Sequence, residues 1–103
     1  MSTIVVQYRP KAELADENQR LVEDVFAELA ATEPVGIRYA TWRLADGTFV
    51  HIADVEADVN PLSTNAAFQR FQQGIAERCE AAAPPNAHPA TLVGAYRCSP
   101  PGV

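Results

Sequence analysis

The side chains best equipped for chemistry are few. His51 lies in an apolar run, Thr-Phe-Val-His-Ile-Ala over 48–53, and the second histidine, His88, lies among prolines and alanines. A neutral imidazole with an ordinary pKa near 6.5 can accept a phenolic proton at physiological pH, so His51 is the candidate catalytic base. The competing reading is a half-buried strand histidine with no chemistry. The sequence puts no orienting carboxylate on its face, since Asp54 is three residues on and points to the other side of a strand. Trp42 with Tyr39, Phe49, Phe68 and Phe71 could line a slot for a flat aromatic ligand or simply fill the core. Arg78 and Tyr96 complete the candidate substrate-binding set. A guanidinium such as Arg78 can hold a carboxylate or phenolate in bidentate fashion, and equally can pair with the chain's many acids.

Composition narrows the classes of function. The 103 residues make one domain, expected over 1–98 with a flexible tail at 99–103. Thirteen acidic and eight basic side chains give a net charge of −5, which argues against nucleic acid as the partner. No apolar run approaches the ~20 residues of a membrane-spanning helix, and the N-terminus lacks the pattern of a signal peptide. A cytoplasmic location is therefore expected, with Cys79 and Cys98 as reduced thiols. The chain has no Gly-rich phosphate cradle, no nucleophile elbow and no zinc-like Cys/His spacing. The acids Asp54, Glu56 and Asp58 read as a solvated strand end, not a cation site.

The elements that must position these residues follow from periodicity. Residues 3–9 are β-branched and aromatic up to Pro10 and read as a strand with Ile4, Val6 and Tyr8 on one face. Residues 13–31 carry Leu14, Leu21, Val22, Val25, Phe26 and Leu29 at helical spacing, and Pro34 and Gly36 end the helix. Residues 37–44 and 48–55 are strands around Ala45-Asp46-Gly47, a strong hairpin signal. A two-residue loop would put Trp42 opposite His51. A three-residue loop with a left-handed Gly47 puts Trp42 with Val50 and Ile52, and His51 with Tyr39, Thr41 and Phe49. The second arrangement is favoured because it separates an aliphatic face from a mixed polar-aromatic one. A second helix, capped by Ser63 or Thr64, is expected over 65–82, with Gly74 allowing a close approach. The last strand is expected over 91–97.

The order β-α-β-β-α-β predicts an α+β, ferredoxin-like fold: a four-stranded antiparallel sheet with two helices on one face. The other face, with Ala40, Trp42, Leu44, Val50 and Ile52, is too apolar to leave in water, so a homodimer packed sheet on sheet is expected.

Three stretches carry a family resemblance: the hairpin from Tyr39 to His51, the segment Ala-Phe-Gln-Arg-Phe over 67–71, and Leu-Val-Gly-Ala-Tyr-Arg over 92–97. With the element order and length, they resemble the dimeric α/β-barrel superfamily, in particular antibiotic biosynthesis monooxygenase-like domains. The resemblance implies a dimeric α/β barrel and a small pocket between sheet and helices in each subunit. Its members include cofactor-independent oxygenases of aromatic phenols and haem-degrading enzymes. The haem-degrading branch uses a histidine on the second helix; here that helix has none, so no haem and no other cofactor is expected. The quinone-forming branch uses tryptophan, tyrosine and asparagine, for which Trp42, Tyr39 and Tyr96 are available and Asn65 is the nearest asparagine. Two functions follow: a cofactor-independent monooxygenase acting on a small flat aromatic compound, or a non-catalytic homodimeric binding or interaction module.

Overall fold

The computed structural model describes residues 2–97. Its elements are β1 (Ser2–Tyr8), α1 (Ala15–Thr32), β2 (Ile37–Arg43), β3 (Phe49–Val55), α2 (Ala66–Gln72), α3 (Ile75–Arg78) and β4 (Asn86–Ala90), with 3-10 turns at Ala12–Leu14 and Pro61–Thr64. The strands form one antiparallel sheet in the order β2-β3-β1-β4. This is the expected ferredoxin-like α+β arrangement. The core between sheet and helices gathers Tyr8, Val22, Val25, Phe49, Leu62 and Phe71.

The hairpin has the three-residue loop. Leu44 N–H donates to Thr48 O at 2.7 Å, Gly47 N–H to Leu44 O at 3.0 Å, and Gly47 takes φ +91°. Thr41 therefore pairs with His51, and Trp42 with Val50. Strand alternation then puts Tyr39, Thr41, Phe49 and His51 on the helix side, together with Ile4, Val6 and Tyr8 of β1.

The second helix departs from expectation. It breaks at Gln73-Gly74 into α2 and α3, with Gly74 in the left-handed region at φ +70°. A Cβ there would meet only Glu77 Oε2, at 3.9 Å, so Gly74 serves the turn and not a close approach. The cap also differs. Ser63 and Thr64 lie in the 3-10 turn, and Asn65 Oδ1 accepts from Phe68 N–H at 2.8 Å. Glu28 of α1 takes the next orphan donors, Ala66 N–H and Ala67 N–H, each at 3.0 Å. This cross-link ties α2 to α1.

The last strand is also displaced. β4 is Asn86–Ala90, paired with β1, and residues 91–97 form no strand. β4 contains Pro89, which an edge strand tolerates because one side of its ladder faces no partner. The segment read as a strand leaves Leu92, Val93 and Tyr96 at 76%, 100% and 81% exposure. The expected tail at 99–103, and Cys98, fall outside the described residues.

Candidate functional site

Sheet register delivers His51 to a buried polar cluster. His51 sits in the middle of β3, opposite Val6 of β1 and Thr41 of β2. Tyr8 Oη lies 2.7 Å from His51 Nε2. Tyr39 Oη lies 2.6 Å from Nδ1, and Thr41 Oγ1 3.0 Å from the same nitrogen. Both ring nitrogens are thus engaged by hydroxyls, and among the described residues no carboxylate bonds to the ring. Phe71 closes over the imidazole, with ring centroids 5.4 Å apart.

Behind Tyr8 the network continues into the helices. Asn18 of α1, fully buried, donates from Nδ2 to Tyr8 Oη at 2.9 Å. Arg78 of α3 donates from Nε to Asn18 Oδ1 at 3.2 Å, from Nη1 to Gln73 O at 2.8 Å, and from Nη2 to Phe71 O. Arg78 is 7% exposed, and these acceptors are neutral. Its place has a local cause. The break at Gly74 leaves carbonyls at the end of α2 without helical partners, and Arg78 reaches back to them. Backbone bonds from Lys11 N–H to Arg78 O (2.7 Å) and from Glu80 N–H to Arg9 O (2.9 Å) hold this segment beside the end of β1.

The cluster faces a cavity of about 240 Å³ between sheet and helices. Val6, Val55, Leu62, Phe68 and Ile75 supply apolar wall, and Tyr8, Tyr39 and His51 supply most of its polar chemistry. Burial governs the titration of all three. Desolvation disfavours the imidazolium and lowers the His51 pKa to about 4. The same cause pushes Tyr39 up to about 12 and Tyr8 well above the ordinary phenol range. Near neutral pH the three groups are therefore uncharged.

The expected site residues divide. His51, Tyr39, Phe68 and Phe71 line the cavity together. Trp42 does not. It lies on the opposite sheet face, 52% exposed, because the three-residue loop sets it beside Val50. Phe49 faces the helices but is buried core, stacked on Tyr8 at 5.7 Å. Arg78 stands one residue back, behind Asn18, and cannot hold a ligand directly. Tyr96 is exposed beyond β4 and lines no part of the cavity. Asn65 is committed to its helix cap. Asp54 and Glu56 pair with Arg38, at 2.6 and 3.5 Å.

Three members of the cluster were not singled out from the sequence as site residues: Tyr8, Asn18 and Thr41. Asn18 had a usable signal, being a polar residue four positions after Leu14 and four before Val22, inside the apolar stripe of α1. Tyr8 shared the core face of its strand with Ile4 and Val6.

No protein-family model and no curated protein matches this sequence. Solved structures do match in fold. A candidate antibiotic biosynthesis monooxygenase from Nitrosomonas europaea superposes with a TM-score of 0.70 at 13% identity, over 91% of this chain and 100% of that one. An antibiotic biosynthesis monooxygenase gives 0.67 at 20% identity, over 91% and 100%. A candidate antibiotic biosynthesis monooxygenase from Caulobacter crescentus gives 0.66 at 18% identity, over 90% of each chain. At these identities the likeness is one of fold.

Proposed function

With the antibiotic biosynthesis monooxygenase-like fold as premise, we propose that this chain binds a small flat aromatic compound in the cavity beside His51. The cavity itself carries the reading. Its roughly 240 Å³ exceeds the ~150 Å³ that accommodates a benzene ring and falls below the ~300 Å³ of common drug-sized sites. One or two fused rings match that volume. The walls are aliphatic and aromatic, with one compact group of hydroxyls and an imidazole to fix orientation.

Calorimetric titration with flat phenols and quinones tests this, since Trp42 lies on the wrong face to report binding by fluorescence. The expected result is saturable micromolar binding with a negative heat-capacity change. Ala53→Phe, which fills the cavity, should abolish it in a folded protein. A folded native protein that binds none of the compounds overturns the reading.

Cofactor-independent oxygenation is a second reading, favoured by the names of the structural neighbours. A phenol and dioxygen would give a quinone and water, with oxygen as the oxidant. His51 is poorly placed to be a free base in such a step. Full transfer of a phenolic proton, pKa ~10, to an imidazole whose conjugate acid has a pKa of about 4 is uphill by roughly 8 kcal/mol. Its role would be to hydrogen-bond through Tyr8 and Tyr39, which polarises the substrate oxygen without taking its proton outright. Oxygen consumption matched one to one by quinone formation supports this second reading; binding without consumption leaves a ligand-binding protein.

We also propose that the open sheet face pairs with a second copy. Trp42 and Leu44, at 52% and 47% exposure, stand on that side with Val5, Val50 and Ile52, and neither α1 nor α2 covers it. An exposed apolar area of this kind is unusual on a monomer.

A further inference from the structure

We infer that Arg78 and Asn18 are positioning residues that hold His51 as its Nδ1–H tautomer, so that the cavity presents a hydrogen-bond donor and takes a neutral ligand through an accepting oxygen of the carbonyl kind. The ligand half of this rests on the binding function proposed above; the tautomer half stands on geometry alone.

The direction of every hydrogen bond in the chain follows from its first member. A guanidinium has donors and no acceptor, so the atom of Asn18 facing Arg78 Nε must be the oxygen. The amide nitrogen then faces Tyr8 and must donate to Oη. With a lone pair of Oη so occupied, the single O–H of Tyr8 is free to donate to His51 Nε2 at 2.7 Å. Were Nε2 protonated instead, Tyr8 Oη would receive two hydrogens and its own would be the one left over, on a side chain only 2% exposed, whereas Nδ1–H leaves the spare hydrogen on the less buried Tyr39. The neutral ring therefore carries its hydrogen on Nδ1.

That hydrogen points at Tyr39 Oη, 2.6 Å away, with Thr41 Oγ1 at 3.0 Å. Three hydrogens now meet two hydroxyl oxygens and no nitrogen lone pair. One hydroxyl hydrogen is left over, and of the two residues only Tyr39 lines the cavity. Thr41 donates to Tyr39, and Tyr39 offers its O–H to the ligand. No charged side chain is among the described residues that line the cavity, so an uncharged oxygen fits the site better than an ionised one.

The test reads the His51 ring nitrogens by two-bond ¹H–¹⁵N correlation in the native protein and in Asn18→Asp. The expected native signature is Nδ1–H. In Asn18→Asp a carboxylate accepts from both Arg78 and Tyr8, the Tyr8 hydrogen turns away from His51, and the tautomer changes to Nε2–H. A native Nε2–H ring overturns the inference without any variant, and so does a folded Asn18→Asp protein that keeps Nδ1–H. In the same samples, 1-indanone should bind about tenfold more tightly than indane to the native protein, and the ratio should fall to about twofold or less in Asn18→Asp. Equal native affinities overturn the ligand half. Binding of neither probe sinks the function proposed for the cavity, while the tautomer result still decides the role of Arg78 and Asn18.

Discussion

Tyr8 Oη stands 2.7 Å from His51 Nε2, across two neighbouring strands and 43 residues of sequence. The phenol belongs to the last residue of β1 and the imidazole to the middle of β3. Their contact joins the sheet to the helix layer, because the same phenol accepts from Asn18 of α1.

Tyr8→Phe should therefore be costly. It leaves two buried groups, Asn18 Nδ2 and His51 Nε2, without their partner. A loss of about 2–6 kcal/mol in denaturant unfolding is expected, counting about 1–3 kcal/mol for each orphaned group. Tyr39→Phe should cost less, about 1 kcal/mol, since Thr41 Oγ1 remains 3.0 Å from Nδ1. Equal losses would show that the two tyrosines are interchangeable supports.

Stability should fall on both sides of neutrality. The folded His51 pKa is depressed to about 4, so between pH 6.5 and 4 the unfolded chain binds the extra proton. The His51 contribution is fully present above pH 6.5 and is lost as pH falls towards 4, by up to about 3 kcal/mol. At the alkaline end Tyr39 keeps its proton up to about pH 12, and Tyr8 is raised too, whereas unfolded tyrosines ionise near 10. Stability should then decline as pH rises past 10. Urea midpoints from pH 4 to 11 check both slopes; in His51→Gln the part of the acid slope owed to this ring should vanish.

Val50→Asp places a carboxylate at the centre of the open sheet face, opposite Trp42. If that face joins a second copy, the native protein has twice its chain mass by light scattering at micromolar concentration and the variant falls to one. A native monomer would refute the pairing, and an unchanged variant dimer would place the interface elsewhere.

Two glycines should respond differently to alanine. At Gly36, φ +82°, a new Cβ would lie 2.8 Å from Ala57 Cβ. Strain and overlap together should cost about 2–4 kcal/mol. At Gly74, φ +70°, the space is open and only the backbone strain applies, about 1–2 kcal/mol. Thermal midpoints of the two variants test the order.

Much of this molecule could be read along the chain, wherever local chemistry sets the geometry. Asp46-Gly47 and the split between an aliphatic and a mixed face determined the hairpin register, and with it the company of His51, Tyr39 and Thr41. A period of two or of 3.6 residues determined β1 and α1 nearly to their ends. Where a periodic pattern met a competing backbone demand, the pattern misled. The apolar stripe of Phe68, Phe71 and Ile75 continues through Gly74, yet Gly74 takes the left-handed turn that no stripe records. Residues 91–97 have a strand's composition, but β1 offers one free edge, and the segment nearer in sequence occupies it.

Only the tertiary structure decided the polar chain from Arg78 to Tyr39. Its links span 60, 10, 43 and 12 residues, and each depends on how α1 and α3 pack over the sheet. Hydrogen bonding is short-ranged and directional, so no local pattern announces partners that the packing of apolar surfaces brings to about 3 Å. Sequence placed the imidazole on the right face; packing decided that both of its nitrogens would be occupied.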